Sequence, residues 1–313
     1  MIFGAARQLV RTAVGLRLGQ PPRAAWLGRA VPGWVNVLVV GAAGAGVLWA
    51  ERRAALRPRR ESQLRHDLRN GGMALASAIT LRLLMEPVTR RLAFRVHRRG
   101  WGLLPGLRLP APVELAAAVV LLDYTLYVWH VLTHKLPFLW RLHRVHHSDL
   151  DLDASTAVRF HFGEMALSVP WRALQILVIG AAPLALSSWQ LLTLVAILFH
   201  HGNVALPLRA ERWLCRLLMT PRMHGIHHST VAEEANSNWS TIFAWPDYVH
   251  GTVRLNVPQH AVTVGVPEFP KRSELTLGRL LAMPFGAQRP SWRRPGGSAV
   301  TRPTCPGSRW DLK

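Results

Sequence analysis

Two short words in this 313-residue chain share one spelling: HRVHH at residues 143–147 and HGIHH at residues 224–228. Imidazole binds first-row metals while neutral near physiological pH, and three imidazoles at i, i+3 and i+4 fall within one turn of a helix. One of the three can face one ion while its neighbour, rotated by about a third of a turn, faces another. A further pair, His130 and His134 in HVLTH, has the i, i+4 spacing of two ligands on one helical face. Eight imidazoles exceed what a single ion of roughly four to six ligands can use, so the pattern suits two ions. Eleven of the fifteen histidines lie between His130 and His228, dispersed in apolar sequence instead of forming a low-complexity metal tract. The zinc-protease word HExxH is absent, as is any ExxH pair of the soluble carboxylate-bridged di-iron bundles.

The elements that must position these histidines read as membrane helices. Half of the residues are hydrophobic, and 38 Lys+Arg against 17 Asp+Glu give a formal charge of +21, carried mainly by arginine. Such a balance points to an anionic partner surface. Long apolar runs, with no RNA-reading signature or Cys/His finger, favour anionic phospholipid over nucleic acid. Residues 34–50 are uncharged over about the minimum spanning length, and the arginine-rich stretch 51–70 that follows places itself on the cytoplasmic side. Residues 112–132 form a second apolar run that leads straight into His130 and His134. Residues 72–94 carry Arg82, Glu86, Arg90 and Arg91, which predicts a half-buried or re-entrant helix; residues 166–199, broken at AAPLALSS, predict a shallow helical hairpin. Arg95, Arg98, Arg99 and Arg108 in the loop beyond 72–94 run against the positive-inside bias.

The expected fold is therefore all-α: an integral membrane bundle of about four embedded helices or hairpins with a cytoplasmic, histidine-rich di-metal cap. Its expected organisation is a basic amphipathic segment over 1–33, N-terminal membrane helices and a basic linker over 34–111, a catalytic region over 112–252, and a basic, Pro/Arg-rich tail over 253–313 whose stretch 289–313 reads as disordered. His66, His97, His250 and His260 fall outside the spacing pattern and read as ordinary surface or turn residues. Cys215 and Cys305 make no CxxC pair. The Ala-, Arg- and Leu-heavy composition suggests a bacterial source and hence an inner membrane.

From about Asp123 to Thr252 the sequence resembles the fatty acid hydroxylase/sterol desaturase superfamily of integral-membrane di-iron enzymes. DYTLYVWHVLTH resembles that family's first histidine box, RLHRVHHSD its second and TPRMHGIHHS its third. AVRFHFGE is similar to its Arg-x-His-x-x-Glu segment, FHHGN to its His-x-Asn element, and NSNWSTIFAWPDYVHGT to its Asn-containing stretch and Trp-Asp-x-x-x-Gly-Thr closing signature. Phe162 stands where many members have proline, and Trp239-Ser240 where they have an aromatic followed by glycine.

The resemblance implies His130, His134, His143, His146, His147, His201, His224, His227 and His228 as metal ligands, with His161 next in rank and His200 a neighbour. It implies Asp123, Glu164, Asn203, Asn238 and Asp247 as partners for imidazole N–H groups. It further implies two iron ions, O2 as co-substrate, a membrane lipid substrate that is hydroxylated or desaturated, and electrons from a separate ferredoxin- or cytochrome-type donor with its reductase. Zinc in the same histidines, in a hydrolase or metal-handling protein, and a non-catalytic membrane scaffold are the alternatives. The intact histidine set weighs against the scaffold, since polar groups beside a membrane are costly to keep.

Overall fold

The computed structural model describes residues 24–302, so most of the predicted N-terminal amphipathic segment and Cys305 lie outside the described residues. Within them the chain is all helical, with isolated β-bridges and no sheet. Helix α1, Gly33–Arg53, begins after Pro32 and ends on Arg52 and Arg53, where basic side chains oppose the negative end of the helix dipole. Its one buried residue is Glu51; the others are exposed or half-buried, as on a helix with one flank against the bundle and the other towards lipid.

Helix α2, Gln63–Thr80, continues through a π turn, Leu81–Met85, into α3, Glu86–Arg99. Pro87 explains the π turn: it has no N–H to donate and its ring crowds the carbonyl four residues back, so the helix widens there instead of breaking. Gly100 stops α3 in the left-handed region at φ 62°.

Helix α4, Ala111–Lys135, runs into α5, Pro137–His147, at the extended residue Leu136. Helix α6, Phe162–Ile179, and α7, Pro183–His201, are joined at Gly180. Two shorter helices follow, α8 at Pro221–His227 and α9 at Leu277–Ala282.

Among the described residues four helices, α1, α4, α6 and α7, are long and apolar enough to cross a membrane. The predicted hairpin over 166–199 is thus a pair of potential spans. Its helices begin four residues earlier and end two later than the apolar run, which gives each about 27–29 Å of length. The 72–94 segment is not among these four, yet the chain carries it from one end of the bundle to the other. At its start His66 reaches Asp149, beside α5. Beyond its end, a Cβ built on Gly102 would lie 2.4 Å from the backbone of Gly180, at the α6–α7 turn. Only glycine fits at either position, because both also have positive φ.

The main core lies between α3, α4, α6 and α7, around Val96, Leu122, Ile176 and Trp189. A second cluster gathers Met73, Val145, Leu150, Leu275, Leu280 and Met283 beneath the opposite end. Part of the basic tail joins that cluster, where α9 packs against α2; of the stretch 289–313 read as disordered, residues 289–302 are described, and Trp292 stacks on Trp140. The C-terminal ends of α1, α4 and α7 and the N-terminal ends of α2 and α6 meet at this same end of the bundle. Glu51 ties two of them, accepting hydrogen bonds from the backbone N–H of Asn203 at 2.8 Å and of Ala154 at 2.9 Å.

Candidate metal centre

Nine histidines converge where these helix ends meet, in two adjoining groups. His130, His134, His143, His147 and His227 form the first; His146, His201, His224 and His228 form the second. Within each group, one ring nitrogen per residue lies within 4.8 Å of all the others. The two triplets divide in opposite senses. In the first, His143 and His147 go to the five-membered group and His146 to the other. In the second, His224 and His228 join the four-membered group and His227 crosses to the five. Helical spacing produces this division, since residues i and i+4 share a face and i+3 is rotated from it. The His147 and His228 rings stack at 4.3 Å between the groups.

Several rings have their outer nitrogen tethered. Nδ1 of His130 donates to the Trp239 carbonyl at 2.7 Å, that of His227 to Ser237 at 2.8 Å, and that of His201 to Ile197 at 2.8 Å. Nδ1 of His143 donates to Glu164 Oε1 at 3.0 Å. A proton fixed on Nδ1 leaves Nε2 with a free lone pair, the form in which imidazole binds a metal.

Many of the ring nitrogens are short of partners. In the five-histidine group Nε2 of His143 and His227 and both nitrogens of His134 and His147 are buried without a hydrogen bond, and in the other group the outer Nδ1 atoms of His146 and His224 are. Buried polar atoms are rarely left so, at a cost of about 1–3 kcal/mol each. In the second group Nε2 atoms approach one another directly: 3.1 Å for His146–His201, 2.9 Å for His201–His224 and 3.1 Å for His224–His228. Nitrogens bound to one ion at about 2.1 Å and at right angles would stand about 3 Å apart. Donor chemistry, orphaned nitrogens and spacing all fit a metal in each group. Burial holds His146, His147, His224, His227 and His228 well below the ordinary imidazole range, and neighbouring imidazoles push the same way. All five are neutral at physiological pH and available as ligands.

His161 is not brought to either group. Its Nδ1 accepts from the Gly163 N–H at 3.0 Å, capping α6, and its Nε2–H donates to the Leu281 carbonyl at 3.1 Å. Both nitrogens are thereby used. His200 is buried beside His224, with its Nδ1 on the Thr241 carbonyl at 3.1 Å.

Of the five polar residues expected to support the imidazoles, Glu164 alone touches one. Asp247 accepts from the N–H of Trp239 at 3.0 Å and of Ser240 at 2.8 Å, and from the Thr252 hydroxyl at 2.6 Å. Asp123 accepts from the N–H of Ile242 and Phe243 at 3.3 and 3.1 Å. Asn238 adopts φ 53° and is held by side-chain bonds to Met223 and Arg254. These three brace one segment, residues 237–243, whose carbonyls at 237, 239 and 241 receive His227, His130 and His200. Asn203 acts elsewhere: its amide is bonded to both the N–H and the carbonyl of Arg57, fastening the segment after α1 to the end of α7.

His66, read from sequence as an ordinary surface residue, is 1% exposed. Its Nε2 lies 2.9 Å from both carboxylate oxygens of Asp149, and its Nδ1 lies 3.3 Å from Asp153. Burial works against its charge, but Asp149 and then Asp153 outweigh that and push it up to about 10. The buried Arg159 joins the same network through Asn70 and also donates to the Val145 carbonyl and the Ser148 hydroxyl, capping α5. No local pattern marks His66, whose partner is 83 residues away.

Residues 115–252 match the fatty acid hydroxylase family. The chain is 30% identical over 198 residues to the ornithine lipid hydroxylase OlsE of Rhizobium tropici, a match covering 63% of this chain and 57% of that protein. It is 28% identical over 144 residues to a cholesterol 25-hydroxylase-like protein of Danio rerio, covering 45% of this chain and 55% of that one. Against the cholesterol 25-hydroxylase of Mus musculus it is 26% identical over 152 residues, covering 46% and 49%. The chain thus spans about half the length of the curated relatives it matches. No solved structure matches it. The matched region encloses all nine converging histidines, so the likeness to the fatty acid hydroxylase/sterol desaturase superfamily falls on the part of the chain that builds the centre.

Proposed function

We propose that each histidine group holds one iron ion and that the protein is a membrane-bound oxidoreductase that hydroxylates a lipid with O2. The observation that carries this reading is the division of nine imidazoles into two adjoining groups, one with buried inward nitrogens that lack hydrogen-bond partners and one whose Nε2 atoms stand 2.9–3.1 Å apart. Names of the relatives, lipid hydroxylases acting on an ornithine lipid or a sterol, support a lipid substrate and favour hydroxylation over desaturation.

Two irons, when bound, supply paired electrons for cleaving the O–O bond. The chain's own residues do the rest. The Nδ1–H groups of His130, His143, His201 and His227 donate to carbonyl or carboxylate oxygens, which orients each ring and keeps Nε2 free. Glu164 accepts from the Nδ1–H of His143 and fixes that ring in place. The buried site excludes water from the reacting centre. Its place at one end of four apolar helices lets a lipid reach it from the bilayer.

Electrons come from a separate carrier of the ferredoxin or cytochrome class. Arg52, Arg53, Arg59 and Arg60, all exposed beside the metal end, suit an acidic carrier or anionic headgroups. The metal end is taken as the cytoplasmic face of a bacterial inner membrane.

Elemental analysis of anaerobically purified protein tests the reading. About two irons per chain are expected, largely lost in His146→Ala/His227→Ala, which removes one imidazole from each group. Zinc in their place moves a hydrolytic or metal-handling role forward, and no metal at all moves a scaffold forward; either sinks the oxygenase.

A further inference from the structure

A groove of about 320 Å³ opens between α5, the first turns of α6 and the segment after α9. Phe138, Leu142, Ala166, Leu167 and Phe285 line it, and Arg141 is its one charged residue. Its rim is apolar and open: Phe138 is 61% and Phe285 67% exposed, with Leu136 46% exposed nearby. All three lie just outside the potential spans, at the level where α4 ends and α6 begins. The floor adjoins the metal end, because Leu142 precedes His143 and Gly163 precedes Glu164, the carboxylate that holds His143.

Arg141 is placed without charge compensation. One of its amino groups donates to the Pro284 carbonyl at 2.8 Å, its Nε is buried with no partner, and no carboxylate pairs with it among the described residues. A guanidinium left among aromatic and aliphatic side chains at a membrane boundary is a receptor for one carboxylate or phosphate.

We propose that this groove admits the acyl chain of an anionic membrane lipid, whose headgroup rests on Arg141 while the chain is directed past Leu142 towards the five-histidine group. The proposal rests on the lipid-oxidation reading and narrows it to an amphiphile with an acidic headgroup. Arg141 is a positioning residue: it fixes how far along the chain the metal end reaches and does no chemistry itself.

Photo-crosslinking tests this without relying on turnover. The protein in nanodiscs is irradiated with phosphatidylglycerol carrying a diazirine in mid-chain, and in parallel with a neutral diacylglycerol carrying the same group. Adducts from phosphatidylglycerol are expected on 138–142, 163–167 and 284–285. Arg141→Gln should reduce them roughly tenfold, Arg141→Lys should restore most of them, and diacylglycerol labelling should be indifferent to both changes. Leu167→Trp, which fills the groove and leaves the arginine, should reduce labelling by both probes. Equal labelling by the two lipids, or adducts spread over the outer faces of α1 and α6 instead, would overturn the proposal. Iron is measured on the same samples: two irons with no groove labelling removes the groove and leaves the oxidation, whereas headgroup-dependent labelling without iron removes the oxidation and leaves a lipid site.

Discussion

His66 shows how one residue can hold a polar layer together. Its imidazolium is buried against Asp149 and Asp153, and Asp153 is in turn held down to about 2: burial would raise it, but the bond and charge of His66 and the Ser155 hydroxyl prevail. The stability His66 contributes is complete below its ordinary value of 6.5 and is lost as pH climbs through about 10. Asp153 contributes above its ordinary value of 3.8 and loses its share as pH falls through about 2. From these two groups the thermal midpoint should therefore be flat between their ordinary values of 3.8 and 6.5 and fall from there as pH climbs towards about 10. His66→Asn should lower the midpoint at pH 7, by a cost of about 3 kcal/mol for a broken buried pair, and remove His66's share of the alkaline fall. A variant that melts with wild type across the whole range would show that the network holds nothing.

At the scale of elements, the segment 237–243 is as much a part of the centre as the helices. Its carbonyls take the protons of His227 and His130, and Asp247 holds the N–H groups on its other side. Asp247→Ala leaves two buried N–H groups unpaired at about 1–3 kcal/mol each and frees the carbonyl that orients His130. Iron should fall from about two per chain to about one, the remaining ion held by the four-histidine group. Asp123→Ala, which unpairs Ile242 and Phe243 beyond those carbonyls, should keep both irons and lower only the melting point; equal iron loss in the two variants would refute this division of labour.

The histidine groups were legible in the sequence because their spacing is local, and a helix turns i, i+3 and i+4 into geometry without outside help. Backbone carbonyls leave no such mark, so the acceptors of His130 and His227 were not legible, and the roles of Asp123 and Asp247 were displaced by one bond. His161 carried the expected family word yet serves as a helix cap. The packing of the tail onto the bundle was hidden because its anchors, Leu275, Leu280 and Met283, are thinly spaced among Pro and Arg. Residues 72–94 read as half-buried or re-entrant with Arg82 and Glu86 counted singly, whereas these two lie one turn apart and pair with each other.

Across the whole molecule, that long helix decides the topology. If α2 and α3 together traverse the bundle, the loop at 100–110 lies on the opposite side of the membrane from residues 54–62, its arginines notwithstanding. Single cysteines in a Cys215→Ser/Cys305→Ser background, at Leu107 and at Arg60, should be labelled by an impermeant maleimide from opposite faces of oriented vesicles. Labelling from the same face would require the helix to lie along the membrane and would reverse α4 relative to α1.

Residues 281–292 lie across α5, the helix that supplies His143, His146 and His147. His161 bonds to Leu281, Arg141 to Pro284 and Arg144 to Gln288, and Trp292 stacks at 4.9 Å on Trp140, whose other face meets the rings of His134 and His147. This stretch leaves the ribosome after every one of the nine histidines. During synthesis the imidazoles are assembled first and the cover arrives last, which leaves an interval in which ions can enter from the aqueous side before the door shuts. A chain cut after residue 276 should then load iron as fully as wild type but surrender it several times faster to an external chelator. Biogenesis and retention would be separate tasks for separate stretches of one polypeptide, and the order of translation would be the order of assembly.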